Sequence, residues 1–225
     1  MKIGILMTGH APDIVLPTLG DYDAMMARML AGHGFDFESY AVVDNEFPSG
    51  PDAADGWLIT GSKHGAYEDH AWIPPLEDLI RDIKDAGRPL VGICFGHQII
   101  AQALGGKVIK HPDGWRVGAT RYNIDGRPQT LNAWHQDQVV EAPAGSQIVG
   151  DADGCAIAAL RHGPNIFTVQ PHPEFDTAMM NALIEHRAPG VVPDPLRDAA
   201  RDLLDEPRDD GAMAAQIADF FKKGA

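Results

Sequence analysis

Apolar positions switch between two periods over the first 110 residues of the chain. KIGILMT (2–8) is a continuous apolar run of strand length. Tyr22, Met25, Met26, Met29 and Leu30 then recur at helical spacing until Gly32 and Gly34 close the helix. FDFESYAVV (35–43) alternates with period two, and DGWLITG (55–61) is another short strand pattern ending in glycine. Pro74 and Pro75 introduce Leu76, Leu79, Ile80 and Ile83, with Gly87 behind them, which is the proline-first, glycine-last order of a helix. RPLVGI (88–93) predicts the next strand, and Ile99, Ile100, Ala103 and Leu104 mark a helix directly after it. Strands alternating with helices in this way predict right-handed βαβ units and an α/β fold with a mainly parallel sheet.

From 106 to 169 the pattern changes to short strands separated by Gly, Pro, Asp and Asn. GKVIKH, WRVGATRYNI, QTLNAW, DQVVEA, CAIAALRH and IFTVQ predict β-hairpins or extra sheet strands. A helix is expected from Phe175 to about His186, and the proline-rich APGVVPDP (188–195) reads as a connector. Met213, Ile217, Phe220 and Phe221 fall on one stripe of a last helix, with Asp209 or Asp210 as its N-cap.

The bend between the strand ending at 93 and the helix after it carries Gly92-Ile93-Cys94-Phe95-Gly96, the form of a nucleophile elbow with cysteine in place of serine. Flanking glycines permit a cramped strand-to-helix turn, and the helix N-terminus offers unpaired N–H groups and partial positive charge, which favour thiolate. The frame alone is equally compatible with a buried structural cysteine. A partner stands at VQPHPEF (169–175), where His172 and Glu174 lie just beyond a strand between Pro171 and Pro173. A cysteine nucleophile needs an imidazole to move its proton, and the imidazole needs a carboxylate to fix its tautomer. The chain order Cys94, His172, Glu174 differs from the nucleophile, acid, histidine order of α/β-hydrolases.

Composition narrows the alternatives. A net charge of −14 argues against binding a phosphate backbone, so no nucleic-acid partner is expected. No apolar run approaches the ~20 residues of a membrane span, and MKIGILMTGHAPD reads as a first strand rather than a signal segment, so no membrane partner and a cytoplasmic location are expected. Cys94 and Cys155 are too far apart in sequence for CxxC, HExxH is absent, and HPE lacks the PCxxC of zinc deaminases; no metal site is read from these patterns. Cys155 lacks a glycine frame and reads as a small buried hydrophobe.

GICFGHQIIAQALGG, NAWHQDQV (132–139) and VQPHPEF together resemble the class I, triad-type glutamine amidotransferases, in that family's order and approximate spacing. TGSKHGAYED (60–69) resembles the oxyanion-loop region of the stand-alone, GMP-synthase-like branch, although Lys63 and His64 replace the usual Gly-Gly-Pro. The resemblance implies a flavodoxin-like three-layer α/β domain over 1–187; residues 188–225 find no match in it and are expected to form a C-terminal helical extension packed on the same domain. It implies a Cys94, His172 and Glu174 triad, oxyanion donors at Gly61 and Phe95, and substrate contacts from Gln98, Ala133, Trp134 and His135. No cofactor is implied. The expected reaction is cleavage of the glutamine side-chain amide through a γ-glutamyl thioester, with ammonia passed to a separate synthetase subunit, since no GxxxxGK[ST] loop is present. Two other readings stand beside it: a peptidase for small γ-glutamyl peptides or conjugates, and a non-catalytic binding module. Residues 188–225 are left with three roles: capping the domain, forming a homodimer, or meeting a partner.

Overall fold

The computed structural model describes residues 1–224; residue 225, the last of the predicted extension, lies outside them. The chain runs β1 (Lys2–Leu6), α1 (Leu16–Leu19), α2 (Tyr22–Met29), β2 (Asp36–Tyr40), β3 (Gly56–Ile59), α3 (Ile73–Asp85), β4 (Leu90–Ile93) and α4 (Phe95–Ala103). Strands β5 (Lys107–Lys110), β6 (Arg116–Ile124), β7 (Arg127–His135), β8 (Asp137–Glu141), β9 (Ser146–Ala152), β10 (Cys155–His162) and β11 (Ile166–Val169) follow. Helices α5 (Thr177–His186), α6 (Asp194–Asp202) and α7 (Asp210–Lys223) complete it.

Nine strands form one sheet in the order β2-β1-β3-β4-β11-β10-β9-β6-β7. The five from β2 to β11 are parallel, and the rest extend the sheet antiparallel. β5 and β8 pair separately. β11, which the sequence groups with the hairpin strands, runs parallel to β4 on one side and antiparallel to β10 on the other, so it joins the two halves.

The parallel strands read as unbroken apolar runs because both faces are covered. Ile3, Ile5, Leu58, Val91, Ile93, Phe167 and Val169 face one cluster, filled by Met26 of α2 and by Met213, Ile217, Phe220 and Phe221 of α7. Leu6, Trp57, Ile59, Leu90 and Ile166 face the other, against α3 and α4. The alternation has the two-residue period of a strand, and it yields three layers. No described helix is long and apolar enough to cross a membrane.

Four elements depart from the sequence reading. SQIVGDA forms β9, which sequence inspection does not single out. The proline-rich connector ends at Pro193, where α6 begins with Pro195 in its first turn, a position proline tolerates because the N–H there has no helical acceptor. Helix α5 starts at Thr177 rather than Phe175, because Asp176 caps it by accepting the Met179 N–H at 2.8 Å. Asp209 precedes α7 as predicted, but its carboxylate accepts the Thr130 N–H at 2.7 Å instead of capping the helix.

Candidate active site

Ligand sites of parallel sheets lie beyond the carboxyl ends of the strands, and of the residues singled out by sequence Gly61, Cys94, His172 and Glu174 stand there, beside Thr8, Thr60 and Gln170, to which the sequence gives no role. Thr8 follows β1, Thr60 and Gly61 follow β3, Cys94 follows β4, and Gln170 to Glu174 follow β11. Cys94 has φ 53 and ψ −102, a conformation L-residues avoid, and it is held by its N–H donating to Val169 O at 2.9 Å and by α4 starting at the next residue. The strain therefore sits on the cysteine itself. Gly92 and Gly96 have no positive φ; they supply room. A Cβ on Gly92 would lie 2.5 Å from the Gly96 carbonyl group, and one on Gly96 would run into the Ile59 carbonyl oxygen. The elbow closes only because both side chains are absent.

The peptides on either side of Cys94 are oriented by their carbonyls. Thr60 O accepts from Gly96 N–H at 3.1 Å and from Thr8 Oγ1 at 3.0 Å, which turns the Gly61 N–H of the same trans peptide the opposite way. Gly61 O accepts from Thr8 Oγ1 at 3.0 Å and from Thr60 Oγ1 at 3.1 Å. The Phe95 N–H opens α4 and has no intrahelical acceptor. A Cβ on Gly61 would lie 3.0 Å from His172 Cε1 and 3.8 Å from Cys94 Cβ, so this backbone stands directly against both side chains.

His172 and Glu174 form a buried pair, Nδ1 to Oε1 at 2.7 Å, with side chains 4% and 0% exposed. Phe175 stacks flat on the imidazole, with centroids 4.0 Å apart and planes 4° apart. Burial alone would make the imidazolium more acidic, but the Cys94 sulfur and the Glu174 carboxylate outweigh it and raise the His172 pKa to about 10. Its Nε2 is buried without a hydrogen-bond partner among the described residues. Sequence reasoning missed Asn132, which clamps this turn twice. Its carbonyl accepts the His172 N–H at 2.8 Å and its amide donates to Phe175 O at 2.8 Å. The only sequence signal is that Asn132 opens the NAWHQDQV stretch.

Cys94, Gln98, Trp134 and His135 line one cleft of about 550 Å³, together with Lys63, His64, Glu68, Lys110, Trp115, Asp137 and Arg187. Its volume falls within the range of small-molecule sites. Gln98 is buried, and its amide donates to Asp137 O at 2.8 Å and to Gln170 Oε1 at 3.1 Å. Ala133 is fully buried in β7. Burial and the neighbouring His172 push the His135 pKa down to about 3, so the ring is neutral. Its Nδ1–H donates to Asp137 O at 3.2 Å, which leaves Nε2 as an acceptor without a partner among the described residues. Cys155 is buried 61 residues away in sequence, and burial pushes its thiol up to about 12, which suits a packing role.

A family model described as glutamine amidotransferase class-I matches residues 24–187. Gamma-glutamyl peptidase 4 of Arabidopsis thaliana is 31% identical over 184 residues, covering 75% of this chain and 73% of its own length. The glutamine-hydrolyzing GMP synthase of Clostridium novyi is 32% identical over 170 residues, which cover 70% of this chain but only 31% of the synthase. A crystal structure of a glutamine amidotransferase from Methylobacillus flagellatus superposes with a TM-score of 0.77 at 21% identity, over 99% of this chain and 94% of that one. The parallel sheet, the elbow at the end of β4 and these matches agree: the chain belongs to the class I glutamine amidotransferase family.

Proposed function

We propose that the chain hydrolyses γ-glutamyl amides through a thioester on Cys94. The observation that carries this reading is the strained Cys94 lining the cleft, with the buried His172–Glu174 pair beside it. The Cys94 thiolate attacks the γ-carbonyl carbon, and the oxyanion forms against the N–H groups of Gly61 and Phe95. Collapse breaks the C–N bond while the His172 imidazolium gives its proton to the leaving nitrogen. Water then attacks the thioester, His172 takes its proton, and the thiolate leaves, giving glutamate and the free amine. Glu174 holds the imidazole through Nδ1. Donors preorganised at an oxyanion are worth ~3–4 kcal/mol each.

The γ-glutamyl group itself carries an α-ammonium and an α-carboxylate. Neutral His135 offers Nε2 as an acceptor for the ammonium, and Gln98 and Trp134 line the same cleft, while Ala133 is buried in β7. One observation favours a leaving amine larger than ammonia: Lys63, Lys110 and Arg187 line the same cleft as Cys94, whose volume of about 550 Å³ has room for a small γ-glutamyl peptide, and the chain is similar to gamma-glutamyl peptidase 4 over 73% of that protein. The second reading, glutamine hydrolysis with ammonia delivered to a separate synthetase subunit, is supported by the likeness to part of a GMP synthase.

Intact-mass measurement during turnover tests the shared chemistry. A γ-glutamyl adduct is expected on the wild-type chain and not on Cys94→Ala, and no adduct with glutamine or any γ-glutamyl peptide would sink the proposal. Comparing kcat/KM for glutamine and γ-glutamyl dipeptides separates the two substrates; a tenfold preference corresponds to ~1.4 kcal/mol in the transition state.

A further inference from the structure

His64 and Glu68 line the cleft and form, with His70, a cluster that the proposed hydrolysis leaves without a role. Glu68 Oε2 lies 3.3 Å from His64 Nδ1 and 2.7 Å from His70 Nε2, and one ligand atom from each of the three residues falls within 4.8 Å of the others. A tetrahedral zinc ion with ligands at ~2.0–2.2 Å separates them by ~3.4 Å, so modest rotamer adjustment of a half-exposed glutamate closes the site.

We propose that His64, Glu68 and His70 bind one divalent transition-metal ion of the zinc class. Two imidazoles and one carboxylate match the donor preference of zinc, and the imidazoles select against magnesium and calcium, which take oxygen ligands. Three protein ligands leave at least one coordination position free. The scaffold behind the ligands is rigid. His70 stacks on Trp72 with planes 9° apart, His64 meets the same indole edge-on, and Trp72 packs on Phe95 at 5.6 Å between ring centroids. The His64 N–H donates to Ser62 Oγ at 3.1 Å, and Ser62 Oγ donates to Thr8 O at 2.6 Å, which ties the loop to β1. The two imidazole centroids are 4.2 Å apart. The ion would lie on the loop that carries Gly61 and against the packing that supports Phe95, yet its binding does not depend on the hydrolysis proposed above.

Calorimetric titration of the tag-free Cys94→Ala chain, residues 1–225, with ZnCl2 tests the site, since the substitution keeps the nucleophile from taking the ion. One saturable site per chain is expected. Its affinity should fall tenfold or more in His70→Ala and in the conservative Glu68→Gln, with the metal-free melting temperature of both unchanged. Cobalt(II) bound to the Cys94→Ala chain should give ligand-field bands of a low-coordinate nitrogen and oxygen site that vanish in His64→Gln. No saturable zinc binding, equal affinity for Mg²⁺, or binding indifferent to all three substitutions would overturn the proposal.

Discussion

Three buried histidines carry the same side chain and meet three different fates. His97 has both nitrogens engaged: Nε2–H donates to Ile157 O at 3.1 Å and Nδ1 accepts from Thr168 Oγ1 at 2.7 Å. Burial pushes its pKa down to about 4, and it packs as a neutral core group. His135 and His172 each keep Nε2 unpartnered, and only His172 lies between a carboxylate and the Cys94 sulfur, so its pKa rises where the others fall. A raised folded-state pKa stabilises the fold fully below the unfolded value of ~6.5, and that contribution is lost as pH climbs through about 10. The proposed chemistry needs the imidazolium to protonate the leaving amine, so kcat/KM should decline on the alkaline side near that same value. Glu174→Gln should move this limb toward neutrality and lower kcat by up to about 10⁴-fold, as measured in a pH–rate profile. An alkaline limb that stays put in Glu174→Gln would contradict the role given to Glu174.

At the scale of elements, the strand–elbow–helix unit of β4 and α4 is built by subtraction. Gly96→Ala places a methyl against the Ile59 carbonyl, a backbone atom that cannot swing aside. Such overpacking costs ~1–3 kcal/mol, or several degrees in melting temperature for a chain of this size. The variant should also lose kcat/KM, because relief of the clash displaces Cys94. Gly211 near the start of α7 is the contrasting case, with open space around it and no positive φ. Gly211→Ala should stabilise the chain by ~0.5–1 kcal/mol with kcat/KM unchanged. Thermal melts and kinetics of the two variants side by side check both statements.

For the whole molecule, helix α7 supplies Phe221 to the same cluster as Ile3 and Phe167, and the Phe220 ring packs tilted against Phe167 at 5.8 Å between centroids. We propose that the C-terminal segment is an integral layer of the catalytic domain rather than an appendage available for a partner. Its removal would strip one sheet face of its cover. Phe221→Ala should cost ~3–5 kcal/mol, and a chain ending at residue 187 should fail to unfold cooperatively in denaturant. Cooperative two-state unfolding of that truncation, close to the parent in midpoint, would refute the proposal.

Local pattern determined what depends on local pattern. The continuous apolar runs of β1, β3 and β4 announced a sheet covered on both faces, and the Gly-x-Cys-x-Gly frame announced an elbow, because periodicity and steric freedom are properties of neighbouring residues. The same logic failed at α6, where prolines that open a helix resemble those that interrupt a chain, and at β9, whose pairing partners β6 and β10 support it from afar. Tertiary structure alone decided that Asn132 clamps the His172 turn across 40 residues, that His135 is neutral while His172 is not, and that Lys63 and Arg187 share a cleft with Cys94. Each of these depends on burial and on charges brought together through space, which residue order specifies only once the chain has folded.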